Sequence, residues 1–547
     1  MTRMVRDFEA LSRRRFDLVV VGGGITGACL AWDASLRGLR VALVDKADFA
    51  GATTSASSKL IHGGLRYLKN GEVGLVRESL RERRILQTIS PHSVRPIPFM
   101  IPTYRRGNLY WMIKGGMLAY DLLSFDRNRL EDPDQRIPGH RMLSVDEVLA
   151  EEPGVSRDGL TGGAIYYDCQ CDPERHCLEF VLGAASLGAA AVNYARVVGL
   201  QVHRGRVERV ELEDLVGGGR CEVETRMVAN VAGPWADAID HLVGAGEEVV
   251  LRRSKGIHLV TRPIARKHAV VLRTKAGRHF FIIPWRDHSL IGTTDTEYRG
   301  PIEGLEVTDG DVEGFIEEIN EAYPSAALTP GDVQYRFAGV RPLVEQDTQV
   351  YTASRRYEII DYHRRGLEGF VSAVGGKYTT SRNLARKLCD RIQIRLDRPV
   401  SACLTERRLL PGAVRGRFQS WLESSVAASE GLLPTDVLRY LYWTYGARAS
   451  RVLDRVRADE SLAERLVEGR PETRAEAKMV IEDEMAQTLC DVMFRRTGLG
   501  TLGHPGDEAV EQVCEMLSTQ HGWDAERKER EKRRFASKIA GRREDVD

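Results

Sequence analysis

The chain has 547 residues, 79 of them basic and 78 acidic, and 42% are apolar. That length exceeds what one hydrophobic core serves, so several domains are expected, and the cancelling charges argue against nucleic acid or another extended polyanion as a partner. Nine cysteines are too sparse for a disulfide framework and fit a reduced, cytoplasmic setting.

The opening "MTRMVRDFEALSRRR" lacks the apolar run of a signal peptide, and no later stretch offers the roughly 18 apolar residues of a spanning helix. "FDLVVV" (16–21) then predicts a β-strand. It enters "GGGITG" (22–27), a helical stretch "ACLAWDASLRG" and a second strand, "RVALVDK", whose acid is Asp45. Strand, G-x-G-x-x-G, helix, strand and acid form a dinucleotide-binding signature. Gly22 permits the tight turn, Gly24 has no Cβ to obstruct a pyrophosphate, and Gly27 lets helix and strand approach. The helix N-terminus offers N–H groups to phosphate, and Asp45 stands where an acid bonds a ribose hydroxyl. The motif alone does not separate FAD from NAD.

Just beyond comes "TSASSKLIHGGLRY" (54–67), which crowds hydroxyls, an imidazole, a glycine pair and a guanidinium beside the cofactor turn. Further segments follow in order: "IYYDCQCDPERH" (165–176), "NVAGPWA" (230–236), "SKGIHLV" (254–260), "FIIPWRDHSLIGTTDTEY" (281–298), "FAGVRPL" (337–343) and "VGGKYTTSRNLA" (374–385). With the first two segments, these resemble the FAD-dependent, aerobic, quinone-linked glycerol-3-phosphate dehydrogenases over roughly residues 16 to 385. A weaker likeness continues through "LPGAVRG" (410–416) and "EMAQTLCDVMFRRTGLG" (484–500).

The resemblance implies FAD as cofactor and oxidation of sn-glycerol 3-phosphate at C2 to dihydroxyacetone phosphate, with hydride passing to flavin N5. Arginine binds phosphate oxygens in planar, bidentate fashion, which makes Arg66, Arg341 and Arg355 the expected phosphate ligands. His258 is the favoured base and His62 the second candidate, because imidazole suits proton abstraction near neutrality. Gly376, Lys377 and Thr379 lead into a helix whose N–H groups and lysine would face the flavin's negative end. Tyr67, Thr294 and Asp295 are expected on the substrate side. Ser55, Ser57 and Ser58 are expected against the flavin, and Gly233 near it.

Cys169, Cys171, His176 and Cys177 do not match a paired zinc spacing, so no metal is expected. "GDVQYRFAGVRPL" and "YEIIDYHR" predict strands, and "DGDVEGFIEEINEAY" an amphipathic helix. The expected architecture is α/β: a Rossmann-like FAD-binding domain (16–96, 160–253, 337–400), an inserted β-sheet-rich substrate domain (97–159, 254–336) and a C-terminal all-α domain (401–547). "LYWMIKGGMLAYDLLSF" (109–125) suits either a membrane interface or a buried helix. The resemblance implies a quinone acceptor, peripheral attachment to the inner face of the cytoplasmic membrane and a homodimer, the last with nothing in the spacing to demonstrate it. The alternatives are an oxidase delivering electrons to oxygen, a related amine or amino-acid oxidoreductase, and, remotely, a flavin-binding regulator without turnover.

Overall fold

Four consecutive buried aliphatic residues, Leu18–Val21, form the central strand of a six-stranded sheet in a computed structural model that describes residues 3–107, 109–244, 251–265, 267–344 and 357–543. A strand apolar on both faces suits a parallel sheet covered on both sides. The order is Tyr357–Asp361, Phe370–Gly375, Val228–Asn230, Leu18–Val21, Val41–Val44, Ala190–Val192, parallel except at the Tyr357–Asp361 edge. Helix Ile25–Leu36 packs between Pro173–Ala185 and Ser381–Arg395. It is buried nearly all round, with Trp32 edge-on to Phe180 at 5.3 Å.

A ten-stranded, mostly antiparallel sheet forms the second layer. Its strand Leu251–Thr261 runs antiparallel to His288–Gly292 on one side and Val333–Val344 on the other. Strand Leu160–Gln170 and most of Val333–Val344 fall in segments expected in the cofactor domain, yet both strands join this larger sheet. The expected amphipathic helix is Asp309–Ala322, started by a Thr308–Asp311 capping box.

The C-terminal region is helical: Phe418–Ala428, Thr435–Tyr445, Ser450–Ala458, Arg474–Asp483, Asp507–His521 and Ala525–Ile539. The pattern from 474 onward reads as one long helix but breaks after Asp483. Glu484 is drawn into a buried pair with Arg175, and Met485 turns to φ 57°. Asp491 then accepts the N–H groups of Gln487 and Thr488 and starts a new turn at Asp491–Arg496. The segment 109–125 is largely the helix Tyr110–Leu123, where only Met117 and Tyr120 are buried. Trp111, Leu118, Leu122 and Phe125 stand exposed, which sets aside the fully buried alternative.

Candidate active site

The glycine-rich turn is built as its residues require. Gly22 has φ 111°, and a Cβ there would lie 2.7 Å from the Val231 carbonyl oxygen. A Cβ on Gly27 would fall 1.8 Å from the Gly22 carbonyl oxygen, so helix and strand meet only because it is absent. Helix Ile25–Leu36 starts at Gly24 with no side chain of that residue to cap it, and its Ile25 N–H reaches Thr54 Oγ1 at 3.1 Å. Asp45 ends the second strand and accepts the N–H groups of Gly23 (2.6 Å) and Ala47 (2.8 Å). Burial lifts its carboxyl to about 6, against those two hydrogen bonds. A cleft of about 1180 Å³ runs from Gly22, Gly24 and Asp45 past Gly233 to Gly376 and Lys377. Its length, its glycine floor and its helix N-terminus fit an extended dinucleotide.

The larger sheet reaches this cleft at Pro342, and next to that residue it carries a compact polar row. His258 pairs in register with Gly292 on one side and Phe337 on the other. A Cβ on Gly292 would meet the imidazole at 2.0 Å, and Phe337 stacks on it with ring centres 4.9 Å apart. Two residues earlier Gly256 faces Gly339. A Cβ on Gly256 would strike the Arg341 guanidinium, and one on Gly339 would strike Ala56. Both glycines thus open the face on which Arg341 and the 54–58 loop lie.

Arg341 donates to Thr293 Oγ1 (2.8 Å), the Thr294 carbonyl (3.3 Å) and Asp295 (3.3 Å). Asp295 also accepts from Ser254, and Thr294 Oγ1 accepts the Ile257 N–H at 3.0 Å. Thr294 and Asp295, expected to touch substrate, therefore fasten the sheet and aim Arg341. The His258 Nε2 lies 2.9 Å from Ser58 Oγ, and its Nδ1 is buried without a partner among the described residues. Burial, then Arg341 and Lys59, push this imidazole well below its ordinary pKa, so it is neutral near pH 7.

The second wall is the loop around His62, which is held through its backbone. The His62 N–H reaches Thr379 Oγ1 at 3.2 Å, and the Gly63 N–H reaches Tyr120 Oη at 3.0 Å. Burial, then Lys377 and Arg66, lower His62 to about 3. Lys377 lies 4.5 Å over the Tyr67 ring and donates to Ser79 Oγ at 2.5 Å. Burial lowers it to about 7 against the pull of Glu78, Glu72 and Asp168. The expected helix entry is the 3₁₀ turn Tyr378–Thr380 followed by Ser381–Arg395. Arg66 sits on this wall beside Tyr67, whereas Arg355 lies outside the described residues.

The three serines expected against the flavin have different partners within the chain. Ser55 Oγ donates to the Ala52 carbonyl, Ser57 Oγ accepts the Lys59 N–H, and Ser58 bonds His258. Short side chains in a turn satisfy neighbouring backbone before they reach a ligand. Cys169, Cys171, His176 and Cys177 do not converge: Cys177 Sγ approaches the Gly23 carbonyl and His176 bonds Tyr378 Oη.

Several supporting residues had no sequence signal. Arg495 and Arg496 of the helical domain grip Asp48 in the cofactor loop at 2.7 and 2.5 Å. Burial alone would raise the Asp48 carboxyl, yet these guanidiniums hold it at about 2. Lys59 forms a buried ion pair with Glu174. The Arg83–Asp168–Tyr120 network holds Gly63 from beneath. Each joins residues far apart in sequence, so only the fold brings them together.

A two-layer fold with a dinucleotide cleft, beside a sheet that carries a neutral imidazole and a fixed guanidinium, defines a dinucleotide-dependent oxidoreductase. Residues 17–391 match the FAD dependent oxidoreductase family, and residues 403–528 match the C-terminal domain of alpha-glycerophosphate oxidase. A glycerol-3-phosphate dehydrogenase from Synechocystis is 36% identical, covering 95% of this chain and 96% of its own. The aerobic glycerol-3-phosphate dehydrogenase of Bacillus subtilis is 34% identical over 91% of this chain and 89% of its own. The FAD-complexed glycerol-3-phosphate dehydrogenase structure from Bacillus halodurans superposes with a TM-score of 0.79 at 28% identity, covering 98% of this chain and 96% of that one. The chain belongs to the FAD-dependent glycerol-3-phosphate dehydrogenase family.

Proposed function

We propose that the protein oxidises sn-glycerol 3-phosphate at C2 to dihydroxyacetone phosphate and delivers the electrons to a membrane quinone. The observation that carries this reading is the pairing, on one sheet face, of a neutral His258 with an Arg341 oriented by Thr293 and Asp295. FAD would be held in the cleft by Gly22, Gly24, Asp45, Gly233 and Gly376, with Gly27 letting helix and strand approach behind them, and would supply the hydride acceptor at N5. His258 takes the C2 hydroxyl proton at Nε2, the nitrogen it shares with Ser58 Oγ. Arg341 binds the phosphate, with Arg66 as the second cation from the opposite wall. Lys377 and the N–H groups of the Tyr378–Thr380 turn stabilise negative charge at the flavin ring. The 97–159 and 254–336 segments form the substrate-facing domain in this reading.

Anaerobic absorbance near the flavin band tests the reaction. Rapid bleaching by glycerol 3-phosphate is expected. Reoxidation by quinone rather than oxygen identifies the acceptor, and bleaching only by amines or amino acids overturns the assignment.

The helix Tyr110–Leu123 supports peripheral attachment to the inner face of the cytoplasmic membrane. Its exposed Trp111, Leu118 and Leu122, with Phe125 just beyond its end, carry cations at both ends, Lys114 5.0 Å from the Trp111 ring centre and Arg77 4.5 Å from that of Phe125, an apolar face with basic neighbours suited to an anionic lipid surface. Among the described residues no helix is long and apolar enough to cross a membrane. Co-sedimentation with anionic vesicles should be lost in Leu118→Glu/Leu122→Glu, and retention of binding by that variant sinks the surface.

A further inference from the structure

The end of the helical domain reaches the cofactor cleft. After helix Ala525–Ile539 the chain turns at Gly541, φ 86°, where a Cβ would lie 2.8 Å from Arg336 Cγ. It then runs antiparallel to residues 305–307. The Val307 N–H bonds the Gly541 carbonyl at 3.0 Å, and the Arg543 N–H bonds the Leu305 carbonyl at 2.9 Å. Arg336 secures the turn through the Ala540 carbonyl at 3.2 Å and Asp309 at 2.5 Å.

This course sets Arg543 over Trp235, 4.3 Å from the ring centre, while Lys46 stands 4.2 Å from the same centre. The indole N–H donates to Glu303 at 2.7 Å, and Lys46 donates to the same oxygen at 3.0 Å. Trp235, Lys46 and Arg543 all line the dinucleotide cleft. Three regions therefore meet at one indole: the Gly233–Trp235 turn of the cofactor sheet, the Glu303 loop and the C-terminal tail. Lys46 and Arg543 thus bring two basic groups to the cleft wall, where an anionic dinucleotide would meet them.

We propose that Arg543 is a cofactor-site residue contributed by the helical domain, and that Gly541–Arg543 is a strap that retains the dinucleotide. The inference rests on FAD occupying the cleft. The tail closes the cleft from outside, with Arg543 supplying charge and the short pairing with residues 305–307 supplying position. Retention of FAD then depends on the docking of a domain that contains no part of the glycine-rich turn.

The test is the rate of FAD release from purified holoenzyme diluted to nanomolar concentration, read by the rise in flavin fluorescence. Arg543→Ala should release FAD about tenfold faster, the effect of losing one charge-assisted contact. Arg543→Lys should restore most of the retention, and the difference between wild type and Arg543→Ala should shrink at high salt. Arg542→Ala, which removes the Glu306 contact but keeps the Arg543 charge, should fall between them. Melting of the cofactor-free protein should be the same for wild type and Arg543→Ala. Release at the wild-type rate in Arg543→Ala overturns the proposal, as does Arg543→Lys releasing as fast as Arg543→Ala. If Arg543→Ala fails to fold, Arg542→Ala and the salt dependence of wild-type release decide in its place: wild-type-like release and salt independence overturn the proposal. Wild-type protein that binds no FAD would defeat the cofactor reading itself, a separate result.

Discussion

The two histidine-bearing walls are built on different principles. His258 sits mid-strand, flanked by Gly292 and stacked on Phe337, with Ser58 as its hydrogen-bond partner. Its position is over-determined by sheet register. His62 sits on a loop whose backbone is tethered by Thr379, Tyr120 and Asp168, beside two cations, Arg66 and Lys377. The sheet wall fixes a base within narrow limits, as proton transfer demands, whereas the loop wall gathers charge beside its imidazole. The base role proposed for His258 follows from that difference.

The largest expected effect breaks the comparison directly. His258→Asn should lower kcat by about 10²–10⁴-fold while FAD stays bound, the usual contribution of a positioned base. His62→Asn should cost about tenfold or less by the same reasoning, with more of the loss in KM. Steady-state kinetics on both variants decides, and a larger kcat loss for His62→Asn would exchange their roles.

Next comes the guanidinium on the sheet wall. Arg341→Ala should reduce kcat/KM by about 100-fold, chiefly through KM, as expected for losing a charged hydrogen bond of about 2–3 kcal/mol. Asp295→Asn should produce a smaller rise in KM, because Asp295 aims Arg341 and does not itself meet phosphate in this reading. An unchanged KM in Arg341→Ala would remove the phosphate role.

The pH dependence of stability compares the walls once more. Both imidazoles have folded pKa values below the ordinary 6.5, His62 at about 3. Below pH 6.5 the unfolded chain gains protons that the folded protein refuses. Stability contributed by neutral histidine is therefore intact above about 6.5 and falls as pH drops toward 3, by at most about 1.4 kcal/mol per pH unit for each group. His62→Asn should flatten this acid limb in chemical-denaturation curves recorded across the window. An unchanged slope would mean that His62 protonates freely in the fold.

How much of this was legible in sequence depends on how local the determinants are. The turn from Gly22 to Gly27 and the acid Asp45 lie within thirty residues, and the structure builds them at the cleft, although the backbone that crowds Gly22, at Val231, comes from a distant strand. His258 and Arg341 were found through their motifs, but not the reason they meet: Leu251–Thr261 and Val333–Val344 pair across eighty residues of chain. Thr294 and Asp295 belong to the right neighbourhood, yet their side chains serve Arg341 and the Ile257 N–H. Nothing local in "DKADF" marks Asp48 as the anchor for Arg495 and Arg496, since their partners lie 447 and 448 residues away. The α/β order and the helical C-terminal region follow from periodicity, while the sheet that each strand joins is a tertiary decision.

The smallest expected effect probes how the loop wall is held. Tyr120 Oη accepts the Gly63 N–H at 3.0 Å and donates to Asp168 at 2.8 Å, and Asp168 is fixed by Arg83 at 2.5 Å. Tyr120 belongs to the helix whose outer face is apolar, so this hydroxyl ties the exposed helix to the His62 loop. Tyr120→Phe keeps the ring and its packing and removes the hydroxyl, leaving Asp168 with one donor fewer. The cost should be about 1–2 kcal/mol of stability. Tyr120 is a positioning residue, so the kinetic change should be a few-fold rise in KM at nearly constant kcat, with the pH dependence of kcat unmoved. A shift of that dependence would mean that the loop wall and the sheet wall act as one unit, and the division between a base held by the sheet and a cationic loop would fail.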